Sequence, residues 1–180
     1  VTFTYPHIGN YGMCESDDES QQPFCRGVIV RDMARRPSNH RSTEGLDVFL
    51  QRHRVPGIAG IDTRRLTRVI RESGSVPAAF GTASYDDLLA AARSEPGTSG
   101  VDLVSTVTTK RSFVQSSLHG GGPYVVAYDF GMKRTIVECL REFATVEVVP
   151  ATTSAAEVLS RQPAGVFLSN GPGDPAMVPY

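Results

Sequence analysis

The chain has 180 residues, 40% of them hydrophobic and 21% charged, and its 18 Lys and Arg against 19 Asp and Glu leave a formal net charge of −1. This is the composition of a globular chain with enough apolar material for a core, and the balanced charge gives no general pull toward nucleic acid or anionic lipid. No run approaches the roughly eighteen apolar residues that cross a bilayer, and three cysteines without a close pair (Cys14, Cys25 and Cys139) argue against a disulfide framework or a CxxC redox or zinc site.

Val1–Tyr5 reads as a strand that starts without Met, and the closing "AMVPY" brings no terminating element, so a fragment is expected. A metal site from His7, Cys14 and Cys25 has no zinc-like spacing, and the acidic Glu15–Ser20 reads as a solvated loop. Gly27–Asp32 (GVIVRD) reads as a buried strand. Leu46, Phe49, Leu50 and His53 follow at i, i+3, i+4 and i+7, one face of a helix. A second helix starts at the N-cap Asp62, buries Leu66, Val69 and Ile70, and stops at Gly74. Its Arg64, Arg65, Arg68 and Arg71 form a basic side, read either as a solvated face or as a docking face for an acidic partner. A third helix begins at Ser84, with Asp87 near capping-box spacing. These elements predict an α+β N-terminal domain over 1–115, and the Ser/Gly/Pro stretch 116–123 reads as a linker.

From 124 onward the pattern is regular. Tyr124–Phe130 is a nearly continuous apolar run, as in a strand buried on both faces. A helix follows with Met132, Ile136, Cys139, Leu140 and Phe143 on one face, so Cys139 reads as a small buried hydrophobe. Thr145–Pro150 is a second strand, Ser154 and Glu157 open a short helix through a capping box, and Ala164–Ser169 is a third strand. The order β-α-β-α-β over 124–180 predicts the start of a parallel sheet with right-handed crossovers. In a flavodoxin-like order 2-1-3, the first and third strands are neighbours, and ligands bind beyond their carboxyl ends. Those ends carry "DFGMK" and "NGPGDP". In the second loop, glycines let a ligand approach the backbone and proline fixes one shape, which suits a cradle for phosphate or an oxyanion. The same residues also suit a plain tight turn.

Taken together, "FTYPHIGNYG", "GIDTRRLTR", "VVAYDFGMKR" and "FLSNGPGDP" resemble, in collinear order, the family of small, glutamine-hydrolysing carbamoyl-phosphate synthetase subunits. "NGPGDP" alone resembles the wider class I glutamine amidotransferases; the Asp129–Arg134 loop and the domain before it favour the carbamoyl-phosphate branch. The resemblance implies a flavodoxin-like class I amidotransferase domain, begun but incomplete at residue 180. It implies L-glutamine as substrate and attack by a cysteine thiolate to form a glutamyl thioester with release of ammonia. The partner implied is a large ATP-dependent subunit, or a fused synthetase domain, that uses the ammonia with bicarbonate to make carbamoyl phosphate for arginine and pyrimidine synthesis in the cytoplasm. ATP and magnesium are implied on that large subunit, with no cofactor or metal on this chain and no nucleic-acid or membrane partner. Gly171 matches the glycine whose N–H helps hold the oxyanion, and Gly171 and Gly173 match glycines that contact the substrate. The family's nucleophile stands in a G-x-C-x-G elbow with His and Glu partners further on, and none of the three cysteines here has that context. The alternatives are an amidotransferase subunit of another biosynthetic enzyme and a non-catalytic flavodoxin-like binding module.

Overall fold

The computed structural model describes residues 1–74 and 76–180. The chain is of mixed α/β class with small sheets, and it separates into two compact units, Val1–Gly97 and Thr98–Tyr180. Among the described residues no helix is long and apolar enough to cross a membrane.

The first unit contains, in order, β1 (His7–Ile8), β2 (Val28–Ile29), β3 (Asp32–Met33), α1 (Leu46–Arg52), β4 (Gly57–Ile58), α2 (Thr63–Ser73) and α3 (Tyr85–Ser94). Its strands are very short and pair in parallel as β1–β3 and β2–β4. Val28, Val30 and Leu50 are buried together, with Leu46, Phe49, Val55 and Ile8 packed around them, so the apolar face of α1 docks where its spacing places it. The His53 ring lies 4.5 Å from that of Phe49, a packed histidine at the edge of the face. Helix starts follow their side chains. Asp62 accepts the Arg65 N–H at 3.0 Å, and Ser84 Oγ accepts the Asp87 N–H at 3.2 Å while donating to Asp87 Oδ2 at 2.6 Å. Gly74, at φ +79°, ends α2 in a backbone region that favours glycine.

Three expectations for this unit need correction. The stretch 27–32 is not one buried strand: β2 takes only Val28–Ile29 and β3 begins at Asp32, with Arg31 and Asp32 exposed. Val1–Tyr5 is not a strand: only Thr2 bridges Ile29, because β2 is two residues long and offers no longer template. Val69 of α2 is 43% exposed, with Leu66 and Ile70 half-buried and Thr63 the buried residue of the helix. The stripe is present in the sequence, but its middle residue, Val69, stays open to solvent.

The second unit contains α4 (Val104–Val107), β5 (Phe113–Gln115), β6 (Tyr124–Asp129), α5 (Arg134–Arg141), β7 (Thr145–Pro150), α6 (Ala155–Ser160) and β8 (Gly165–Leu168). Four strands form one sheet in the order β5-β7-β6-β8; β7, β6 and β8 are parallel and β5 is antiparallel to β7. Residues 98–115, grouped with the first domain in the sequence reading, therefore pack here. The stretch 116–123 is also held inside this unit, since the Leu118 N–H donates to the Arg141 carbonyl at 2.9 Å.

Val126, Val146, Val148 and Val149 are all but inaccessible, as expected of strands covered on both faces. One face packs Ala127, Val146 and Val148 against Val137 and Leu140 of α5; the other packs Val126, Tyr128 and Val149 against Val158 of α6. A helix thus covers each face. The inward residue of α5 is Val137, whereas Cys139 is exposed and Phe143 is 58% exposed. This corrects the expected face. The 3.6-residue period admitted two neighbouring stripes, and the docked one runs through 137, 140 and 144.

Candidate functional site

The sheet brings the carboxyl ends of β6 and β8 side by side, with Tyr128 opposite Leu168 in register. Asp129 ends β6, and its carboxylate organises the turn that follows. Oδ1 accepts the N–H groups of Gly131 at 2.9 Å and Met132 at 2.8 Å, an Asx turn. Oδ2 accepts the Thr109 N–H at 2.7 Å and so ties the turn to the segment after α4. At the end of β8 the buried Ser169 accepts the Phe130 N–H at 2.9 Å and donates to the Asn170 carbonyl at 2.9 Å. One hydroxyl therefore fixes the two loops to each other. The Phe130 ring stacks on Tyr128, with centroids 5.8 Å apart and planes 4° apart.

Each glycine has its own reason for being there. A Cβ on Gly171 would lie 2.4 Å from the Phe130 carbonyl oxygen and 3.0 Å from Phe130 Cβ. Gly171 is required because the neighbouring backbone occupies the space, and its φ lies outside the left-handed region. Gly173 is the converse case. Its φ is +82°, while a Cβ would meet only Leu103, at 3.4 Å or more, so conformation is the constraint. Gly131, at φ +113°, has both: a Cβ would meet Val107 Cγ2 at 2.9 Å and Pro172 Cδ at 3.3 Å. Asp174 then accepts the Ala176 N–H at 2.9 Å and caps a single 3₁₀ turn, Pro175–Met177.

The loop 170–175 is exposed, and among the described residues the N–H groups of Gly171 and Gly173 have no protein acceptor. Pro172 between them has no N–H to offer. The arrangement presents two free backbone donors on a braced loop, which can receive a carbonyl or an anionic oxygen. The sequence reading picked out Gly171 and Gly173 but missed the bracing residues Asp129, Phe130, Ser169, Leu103 and Val107. Asp before Phe-Gly at a strand end is an Asx-turn signal that was legible; the part played by residues 103–109 was not, because they reach the loop only through tertiary packing.

The cysteines stand apart from this site in the chain. Cys14 and Cys25 belong to the first unit, and Cys139 is exposed on α5. The Cys14 thiol is held below its ordinary pKa by its hydrogen bond with Ser16, 3.0 Å away. Among the described residues no group of three His, Cys, Asp or Glu is placed to hold a metal.

Residues 1–80 match the family model "Carbamoyl-phosphate synthase small chain, CPSase domain", and residues 126–180 match "Glutamine amidotransferase class-I". The chain is a homologue of carbamoyl phosphate synthase small chains. It is 46% identical, over an alignment of 197 positions, to the carbamoyl phosphate synthase small chain of Xanthomonas campestris pv. campestris. It is 45% identical over 198 to that of Escherichia coli K12, and 45% over 207 to that of Polynucleobacter asymbioticus. Each alignment takes in 100% of this chain and 52% of the relative, so the chain spans about half the length of the small chains it matches. The second family match contains both loops of the site, from Val126 to Tyr180.

Proposed function

We propose that the second unit is the opening part of a flavodoxin-like class I glutamine amidotransferase domain, and that Gly171 and Gly173 belong to its glutamine site. The observation that carries this reading is the pair of unoccupied N–H groups on a loop braced at the adjacent ends of two parallel strands. On this reading the side-chain carbonyl of glutamine lies against the loop, and the Gly171 N–H faces the negative charge that develops when a thiolate attacks it. The protein then acts as the glutamine-hydrolysing subunit that passes ammonia to an ATP-dependent large subunit, or a fused synthetase domain, for carbamoyl phosphate synthesis. The nucleophile is none of Cys14, Cys25 or Cys139. The first unit, among whose described residues no catalytic constellation is found, serves assembly.

A hybrid tests this, with the chain replacing the matching half of the Escherichia coli small chain and paired with that organism's large subunit. Glutamine-dependent carbamoyl phosphate formation is expected, and Gly173→Ala should lower it while synthesis from added ammonia is retained, because ammonia bypasses the loop. Equal loss of both activities in a folded variant would refute the role given to the loop.

A further inference from the structure

The first unit holds a half-open cavity of about 540 Å³ whose lining includes Arg31, Arg64, Arg65 and Arg68 with a single carboxylate, Asp62. The fold assembles it from distant parts of the chain. The Arg31 carbonyl accepts the Gly60 N–H at 2.8 Å and the Val30 carbonyl accepts the Ile61 N–H, which brings Arg31 beside the start of α2. The Asp32 N–H donates to the Pro6 carbonyl at 3.0 Å and holds the chain before β1, whose Thr4 and Pro6 also line the cavity. Residues 64, 65 and 68 belong to the first two turns of α2, and they line the cavity together with Arg31.

Four like charges in one concavity repel one another, and Asp62 is the single carboxylate that lines it with them. Among the described residues none of these arginines forms a salt bridge. Asp62 is already engaged as the cap of α2. The chain as a whole is at net −1, so the concentration of positive charge here is local. Cavities of this size suit small molecules, and a lining of forked donors on separate stems suits an oxyanion with oxygens in several directions more than a planar carboxylate.

We propose that this arginine-lined cavity binds a small phosphate-bearing molecule. The site lies in the unit that lacks the glycine loop, so it stands or falls independently of the amidotransferase reading.

Inorganic pyrophosphate is the probe, titrated calorimetrically into the 180-residue chain at low salt. Saturable one-to-one binding is expected, weakened at least tenfold by Arg31→Gln and by Arg68→Gln, and declining as sodium chloride is raised. Arg71→Gln removes an exposed arginine of the same helix that does not line the cavity, and it should leave affinity within twofold. Thermal unfolding verifies that the variants fold, which is expected because the side chains replaced are exposed. Absence of saturable binding overturns the proposal. So does a loss in Arg71→Gln equal to that in Arg68→Gln, which would mean diffuse attraction to a basic helix. Tighter binding of an oligoglutamate peptide than of pyrophosphate, with the same dependence on Arg31 and Arg68, would overturn it in favour of an acidic protein partner.

Discussion

Replacing Gly171 by alanine places a methyl carbon 2.4 Å from the Phe130 carbonyl oxygen, where carbon–oxygen contacts normally begin near 3.3 Å. Roughly 0.9 Å must be recovered, and both sides of the contact are restrained. The Phe130 N–H is held by Ser169 at 2.9 Å and its ring is stacked on Tyr128, while Pro172 follows Gly171 and packs toward Gly131. Overpacking of this kind typically costs about 1–3 kcal/mol, and with a urea m-value of about 1–3 kcal/mol/M the midpoint should fall by on the order of 1 M. Circular dichroism follows the transition, and hydrogen exchange of peptides covering 124–170 assigns the loss to the second unit. Gly171→Ala in the hybrid enzyme should therefore lose stability and glutamine-dependent turnover together, because the methyl group collides with the scaffold before it reaches any substrate. A destabilisation under about 0.5 kcal/mol, the range of uneventful surface changes, would show that the two loops are not braced as described and would refute the argument.

Gly173 offers the complementary measurement: Gly173→Ala pays for a left-handed φ, on the order of 1–2 kcal/mol, and Gly173→Asn should be milder in the same denaturation assay because Asn visits that region more readily. Ser84→Ala and Ser154→Ala each remove a helix cap and should each cost about 1 kcal/mol; a neutral result for either would mean that its observed cap hydrogen bond contributes nothing. Asp62 is held below its ordinary pKa by the Arg65 N–H, with Arg31 and Arg65 adding to it. Its cap is therefore at full strength above about pH 4 and is lost as pH falls through the depressed folded value, so Asp62→Asn should flatten the acid limb of a stability–pH profile. The 180-residue chain alone should release no ammonia from glutamine, since covalent catalysis needs an activated thiolate at the site; release abolished by replacing one of Cys14, Cys25 or Cys139 with serine would identify a nucleophile and overturn that statement.

Local order in this protein is written in adjacent residues. The caps Asp62, Ser84 and Ser154, the stop at Gly74 and the valine-rich strands of the second unit follow from side chains acting within a few positions of themselves, so they could be read without a structure. The resemblance, carried by short collinear motifs, was legible for the same reason. Tertiary structure decided which of two possible stripes on α5 docks, turning Val137 inward and leaving Cys139 outside, because a helical period fixes spacing but not rotation. It decided that residues 98–123 pack with the second unit, where β5 pairs with partners in β7 that lie 31 to 35 positions further on. It also separated the reasons for the two loop glycines. Gly173 answers to its own φ, whereas Gly171 answers to a carbonyl forty-one positions away that only the β6–β8 pairing brings near.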